Sequence, residues 1–313
     1  MTASALPPLV VVAGSTASGK SALSLGLAEA LAARGIPAEV ISADSRQVYR
    51  GMDIGTAKVT LEERARVPHH GLDLVDPNQP FSVADFADHA SVALAGIAER
   101  GAVAILVGGT GFYLRAIARG LAIDELPWDG DVRAAIEAAL VADGLPTLVA
   151  ELQHLAPTRA ATIDLRNQRR VVRALEIARL RGDAPLPEPR GYGRPVLWLG
   201  LAVEPPVLRE RISARARAQF EAGLIDETRA LIARFDPSQF SFSGIGYAEA
   251  RAVIDGRLSY DDAVDQDARR NLHYARRQAT WFRREPDVVW LDATLKPPLG
   301  ESLVAVEGYI EGS

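Results

Sequence analysis

Apolar and polar positions follow two rhythms along this chain. Leu9 to Ala13 is a short, β-branched apolar run closed by Gly14, the pattern of a strand buried on both faces. Ser21 to Arg34 then carries helix formers up to Gly35, so the chain opens as strand, glycine-rich turn, helix. Gly35 and Pro37 punctuate, Glu39 to Ser42 predicts a second strand, and Ser82 to Arg100 predicts an Ala-rich helix ending at Gly101. Val103 to Val107 predicts a third strand, which runs into Gly108-Gly109-Thr110-Gly111 before a further helix over Tyr113 to Arg119. Strands alternating with helices predict an α/β fold in which helices flank a parallel sheet and ligands gather at the carboxyl ends of its strands.

That alternation stops at residue 121. Leu121 to about Arg181 shows helical periodicity alone, clearest over Asp129 to Ala142 and Asn167 to Arg181, which predicts a helical insertion. The prolines and glycines of Asp183 to Pro195 suit a linker. Val196 to Leu201 resumes the strand pattern, and helices are predicted over Pro206 to Ala222, Asp226 to Arg234 and Asp261 to Arg284. The organisation is therefore a core from residues 1–120 and 196–313, with a helical domain over 121–195.

Composition narrows the setting. The 313 residues are 48% apolar and 24% charged, which suits a globular protein with a full core. Cysteine is absent, so neither a disulfide framework nor a Cys-based zinc site is available, and a cytoplasmic location is the expectation. Met1 to Pro8 lacks a basic stretch followed by a long apolar run, and no segment approaches the ~20 apolar residues of a membrane span. The net charge of −5 speaks against a polyanionic partner until its distribution is considered. Arg166, Arg169, Arg170, Arg173, Arg179 and Arg181 form one basic stretch with only Glu176 against it, and Arg269, Arg270, Arg276, Arg277, Arg283 and Arg284 form a second with no acid among them. Each run reads either as a solvated helix face or as a nucleic-acid footprint.

Gly14-Ser15-Thr16-Ala17-Ser18-Gly19-Lys20-Ser21 has P-loop spacing in the right context, after a strand and before a helix. Its glycines let backbone N–H groups turn inward around phosphate oxygens, Lys20 meets phosphate charge, and the Ser21 hydroxyl can ligate Mg²⁺. Such a loop implies a polyphosphate, ATP among the possibilities, and no particular reaction. The third strand ends in glycine and not in the acid that commonly holds Mg²⁺ through water in ATPases. Asp44 instead stands at the end of the second strand and should face the phosphates, although an acid there can equally be a cap or turn former. Gly108 to Gly111 likewise reads as a donor-rich turn or simply a tight connection, and it lacks the dinucleotide-binding spacing. Adjacent His69 and His70, with only three further histidines, do not make a zinc site.

Together these segments resemble one family, the tRNA dimethylallyltransferases. The resemblance is carried by ISADSRQVYRGMDIGTAK (residues 41–58), by the P-loop, by PHHGLDLVDP (68–77), GGTGFYLRA (108–116) and NQRRVVRALEIARLRG (167–182). RISAR (211–215), GIGYAEA (244–250) and ARRQATWFR (275–283) complete it. Ser15 stands where the family usually has Pro, Ser21 where Thr is commoner, Val59 where Pro usually follows Lys58, and Leu165-Arg166 replaces a Pro-containing approach to the RR motif. The resemblance implies transfer of a dimethylallyl group from its diphosphate to the exocyclic amine of the adenosine beside the anticodon, by a Mg²⁺-dependent monomer. It implies Asp44 as general base, Lys20 and Arg215 on the diphosphate, Arg211 as the alternative to Arg215, and Thr110 as a donor near the leaving oxygen. For tRNA it implies Asp44, Ser45, Arg46 and Gln47 around a flipped base, Gln168, Arg169 and Arg170 on the anticodon stem-loop, and Gly244, Ile245, Gly246 and Tyr247 on the loop. Arg270, Tyr274, Arg277, Trp281 and Arg284 fall on one helical face as a basic and aromatic stripe, with core packing the alternative for the two rings. A P-loop kinase acting on a small molecule with ATP, and an RNA-binding module without catalysis, are the competing readings.

Overall fold

The computed structural model describes residues 6–312. In chain order the elements are β1 (Leu9–Gly14), α1 (Lys20–Ala32), β2 (Ala38–Ser42), α2 (Leu61–Arg66), β3 (His69–His70), α3 (Val83–Glu99), β4 (Val103–Gly108) and α4 (Gly111–Ala118). Next come α5 (Gly130–Leu155), α6 (Pro157–Thr162), α7 (Gln168–Arg181), β5 (Val196–Ala202), α8 (Pro205–Glu221), α9 (Leu224–Ile232), α10 (Tyr247–Ile254), α11 (Tyr260–Phe282), β6 (Val288–Asp292) and α12 (Leu299–Glu311).

The six strands form one sheet in the order β3-β2-β4-β1-β5-β6, every pairing parallel. Because side chains alternate across a strand, the two faces of β1 feed separate cores. Leu9, Val11 and Ala13 pack with Phe86, Ile97 and Leu114 of α3 and α4, whereas Val10 and Val12 pack with Leu23, Leu27 and Leu31 of α1 and with Val306 of α12. A third core lies beneath α8 to α11, around Met52, Phe220, Leu224 and Tyr247. The two outer strands went unrecognised in the hydrophobic pattern for different reasons. β3 spans only two residues and pairs over Val40–Ile41, and β6 is an edge strand whose Val289 and Trp290 remain exposed.

Two units divide the chain, Met1–Gly120 with Gly191–Ser313, and Leu121–Arg190. The segment taken as linker up to Pro195 is thus split. The Gly191 N–H donates to the Arg119 carbonyl, the Tyr192 hydroxyl to the Pro7 carbonyl and Arg194 to the Leu6 carbonyl, which ties 191–194 to the sheet unit. In the helical unit α5 and α7 pack through Ile136, Leu148, Leu152, Val171 and Leu175. The helix predicted to end near Ala142 continues to Leu155 after a break at Gly144 (φ 80°), and Asn167 caps α7 by accepting from the Arg170 N–H at 3.2 Å.

Candidate active site

The carboxyl ends of β1, β2 and β4 open into a cavity of about 390 Å³ whose walls include Thr16, Lys20, Ser21, Asp44, Gln47, Gly109, Arg215, Tyr274 and Gln278. Residues far apart in sequence meet here because parallel strands finish on one side of the sheet. The P-loop supplies its floor. Gly19 adopts φ 94°, a left-handed conformation that an L side chain resists, and no side chain caps the first turn of α1, so its N–H groups are left for a ligand. At the far wall, a Cβ on Gly108 would sit 2.1 Å from the Ala43 carbonyl oxygen, so only glycine lets β4 pass the start of the Asp44 turn.

Three cations line this space, and two of them meet the P-loop. Lys20 Nζ donates to the Ser15 carbonyl at 2.6 Å, and Arg215 of α8 donates to Thr16 Oγ1 at 3.2 Å. Burial, helped by the Arg215 charge and opposed by Asp44, holds the Lys20 ammonium down at about 8. Burial also lowers Arg215, against the pull of Asp44 and Asp267. Among the described residues neither cation makes a salt bridge to a carboxylate. Two half-desolvated positive charges without a paired anion are costly unless a polyanion completes the site. Arg211, one turn earlier on α8, is committed elsewhere: it donates to the carbonyls of Ala293 and Thr294 at 2.9 and 2.7 Å and so anchors α8 beyond β6.

Asp44 combines its two sequence readings. Its Oδ1 accepts from the Arg46 N–H at 2.8 Å in a local turn, which fixes the carboxylate while the side chain lines the cavity. Thr110 lies beside the cavity wall. Its Oγ1 accepts from the Ser45 N–H at 3.1 Å and bonds the hydroxyl of Tyr274, whose ionisation burial pushes up to about 12. Gln47 is held by Ser42 Oγ at 2.8 Å and by the Thr56 carbonyl. Arg46 reaches across to the carbonyls of Phe240 and Ser241 and lies 4.2 Å from the Phe240 ring centroid.

Gln278 was not foreseen. From α11 its Oε1 accepts from the Thr16 N–H at 2.7 Å and its Nε2 donates to the Gly109 carbonyl at 2.9 Å, clamping the P-loop to the end of β4. A single buried glutamine on a helix between arginines carries no pattern that reveals such a bridge. Tyr274 walls the cavity, whereas Trp281 packs against the sheet core over Gly111.

The predicted RNA-facing segments fare unevenly. Gln168, Arg169 and Arg170 are exposed on the first turn of α7. Gly244, Gly246 and Tyr247 are buried, the Tyr247 ring faces the interior with its hydroxyl donating to Glu227 at 2.6 Å, and within the segment only Ile245 is partly exposed. Tyr247 fills the space over Gly55, and its hydroxyl is pushed up mainly by burial and then by Glu227. The basic stretches are also less uniform than their sequence: Arg173 pairs with Glu176 at 2.7 Å, Arg179 with Glu151 at 2.7 Å, and Arg270 with buried Glu249. No helix among the described residues is long and apolar enough to cross a membrane, and none of them form a group of three or more His, Cys, Asp or Glu fit to hold a metal.

The family model for IPP transferase matches residues 47–285. The chain belongs to the IPP transferase family. It is 42% identical to the tRNA dimethylallyltransferase of Roseiflexus sp. (strain RS-1) over 310 residues, covering 97% of this chain and 99% of the relative. The tRNA dimethylallyltransferase of Thermus thermophilus is 44% identical, with 90% and 91% covered. Among solved structures, the full-length tRNA isopentenylpyrophosphate transferase of Bacillus halodurans is 40% identical, with a TM-score of 0.70 over 97% of this chain and 96% of that one. A eukaryotic dimethylallyltransferase acting on tRNA is 25% identical, with a TM-score of 0.79, covering 98% and 80%. The IPP transferase match begins at Gln47, after the P-loop and Asp44, so those residues rest on the longer pairwise likenesses and on their own geometry.

Proposed function

We propose that this IPP transferase family member moves a dimethylallyl group from dimethylallyl diphosphate to the exocyclic N6 amine of the adenosine 3′ to the anticodon of tRNA. The observation that carries the reading is the presence of two half-buried cations without a carboxylate partner, Lys20 and Arg215, and one fixed carboxylate, Asp44, in the same cavity. The amine lone pair is delocalised into the ring, so it needs a base, and Asp44 takes its proton as nitrogen bonds to the allylic carbon. The carbon–oxygen bond breaks and its electron pair leaves with the diphosphate, whose growing charge Lys20, Arg215 and the P-loop N–H groups stabilise. Thr110 supports the leaving oxygen or the acceptor base through its tie to Ser45 and Tyr274.

A magnesium ion fits this chemistry. Ser21 offers a hard hydroxyl oxygen at the first turn of α1, and without an all-protein cage the ion would take its remaining ligands from diphosphate oxygens and water, as Mg²⁺ prefers. When bound it neutralises charge on the departing diphosphate. For tRNA, exposed Arg169 and Arg170 with Gln168 suit phosphate contacts on the stem-loop, and Gln47, which lines the cavity, with its neighbours Ser45 and Arg46 suits a flipped base entering there.

The test is mass spectrometry of tRNA nucleosides after incubation with dimethylallyl diphosphate and Mg²⁺. Prenylated adenosine is the expected product. Transfer of phosphate from ATP to a small molecule with no prenylated nucleoside would establish the kinase alternative, and tRNA binding without diphosphate release would establish the binding module.

A further inference from the structure

A second cavity, of about 530 Å³, lies on the other side of the P-loop from the one just described. Its walls are Gly14 and Ser15, the end of β5 with Leu201 to Val203, the start of α8 with Leu208 and Arg209, one face of α11, and Trp290 of β6. The α11 face is built from Leu272, Ala275, Arg276, Ala279, Phe282 and Arg283, a three-and-four spacing that differs from the Arg270, Tyr274, Arg277 face. The second basic stretch therefore divides, and Arg276 and Arg283 belong to this cleft.

The interior is apolar while its rim carries Arg209, Arg276 and Arg283, all exposed. None of the three forms a salt bridge among the described residues, and the only side-chain bonds are those of Arg283 to its own helix, to the Ala279 carbonyl and Thr280. Trp290 is 42% exposed at the opening, a large ring left without cover at a strand edge. The volume lies within the range of cavities that enclose a ligand, and a few polar groups around an apolar body are the usual recognition pattern. Three guanidinium groups at one mouth match several negative charges better than one, since each can fork to two phosphate oxygens.

We propose that this cleft binds an isoprenoid diphosphate of ten or more carbons, with the chain among Leu201, Leu208, Ala279 and Phe282 and the diphosphate among Arg209, Arg276 and Arg283. The site is separate from the donor cavity yet shares the P-loop as a wall. Gly14 is wedged there: a Cβ on it would meet Ser18 Oγ at 2.8 Å on the loop side and the Leu201 carbonyl oxygen at 3.2 Å on the cleft side. Ser15, the next residue, holds Lys20 through its carbonyl. A ligand in the cleft that moves Leu201 or Ser15 changes the setting of Lys20, so occupancy weakens donor binding without competing for the same space.

Calorimetry with farnesyl diphosphate as probe tests this on the full-length protein. In the Lys20→Ala variant, whose donor cavity is disabled, farnesyl diphosphate should still bind. Ala279→Trp, which fills the cleft, should abolish that binding, and Arg209→Ala with Arg276→Ala should weaken it at least roughly tenfold. An unchanged melting temperature and an unchanged circular dichroism spectrum establish that Ala279→Trp is folded; if it is not, the arginine pair decides alone. Binding that vanishes in Lys20→Ala and survives both cleft changes overturns the proposal, since the probe would then occupy the donor cavity. Dodecanoate binding as tightly as farnesyl diphosphate overturns the assignment of the ligand class.

Discussion

At Lys20, stability and function should pull in opposite directions. Burial, then the Arg215 charge, lowers its ammonium from the ordinary 10.5 to about 8, with Asp44 opposing. The folded pKa lies below the unfolded one, so between pH 8 and 10.5 the unfolded chain holds more protons and stability rises with pH. The penalty is at full strength below pH 8. At ~1.4 kcal/mol per pKa unit it is on the order of 3 kcal/mol before discounting for water that reaches the open cavity and screens the charge. Lys20→Met keeps the length of the side chain, removes the charge and forfeits the bond to the Ser15 carbonyl, worth ~1 kcal/mol. The net expectation in diphosphate-free buffer at pH 7 is a stability gain of about 1–2 kcal/mol, or roughly 2–8 °C in melting temperature. That gain should shrink as pH rises from 8 toward 10.5. Diphosphate affinity should meanwhile fall roughly ten- to a hundredfold, as for loss of a charged hydrogen-bond partner. Diphosphate at a hundred times the wild-type Kd adds ~2.7 kcal/mol to the wild type but only ~0.4–1.4 kcal/mol to the variant, a differential of ~1.3–2.3 kcal/mol that offsets the gain and narrows or inverts the gap between the two melts. Melting curves with and without diphosphate, read beside calorimetry, check all of this. A variant that melts below the wild type without diphosphate would show instead that Lys20 is a structural tie of the loop.

Asp44→Asn keeps an oxygen for the Arg46 N–H and so preserves the turn, but it cannot take the amine proton; single-turnover prenylation should fall ~10²–10⁴-fold with the melting temperature unchanged. Gln278→Ala leaves the Thr16 N–H and the buried Gly109 carbonyl without their partner, so denaturant titration should show a loss of roughly 1–3 kcal/mol, with weakened diphosphate binding alongside. Arg169→Ala with Arg170→Ala should weaken tRNA binding and flatten its salt dependence, because fewer counterions are released; an unchanged slope in binding measured across salt concentrations would return both to a solvated helix face. Tyr247→Phe should cost stability by leaving Glu227 without its hydroxyl donor while sparing tRNA affinity, and a selective loss of tRNA binding with an unchanged melt would put the ring at the RNA surface after all.

The likeness to known transferases was visible in contiguous motifs, and the P-loop in particular is local: eight successive residues set the turn, its donors and the helix behind it. β1, β2, β4 and β5 were legible for the same reason, since a strand covered on both faces must be apolar along its length. His69–His70 and Val288–Asp292 escaped because pairing with a neighbour, and not their own composition, makes them strands. Within the site, spacing along α8 left Arg211 and Arg215 equivalent, and the distinction came from what each meets: carbonyls beyond β6 for one, the P-loop for the other. The basic stretch of α11 looked uniform because the acid that neutralises Arg270 lies on α10, and Gly244 to Tyr247 looked available because nothing local shows that Tyr247 fills the space over Gly55. Neighbours in the chain were enough to predict the parallel α/β core, the helical insertion, the glycine-rich turn between β1 and α1 and the acid at the end of β2. Folding alone settles which cations lack a carboxylate partner, that Gln278 clamps the loop, and which arginines turn toward the second cleft. Charge neutralisation, burial and hydrogen-bond completion depend on partners brought close by folding from distant parts of the chain, and no local pattern records where those partners will be.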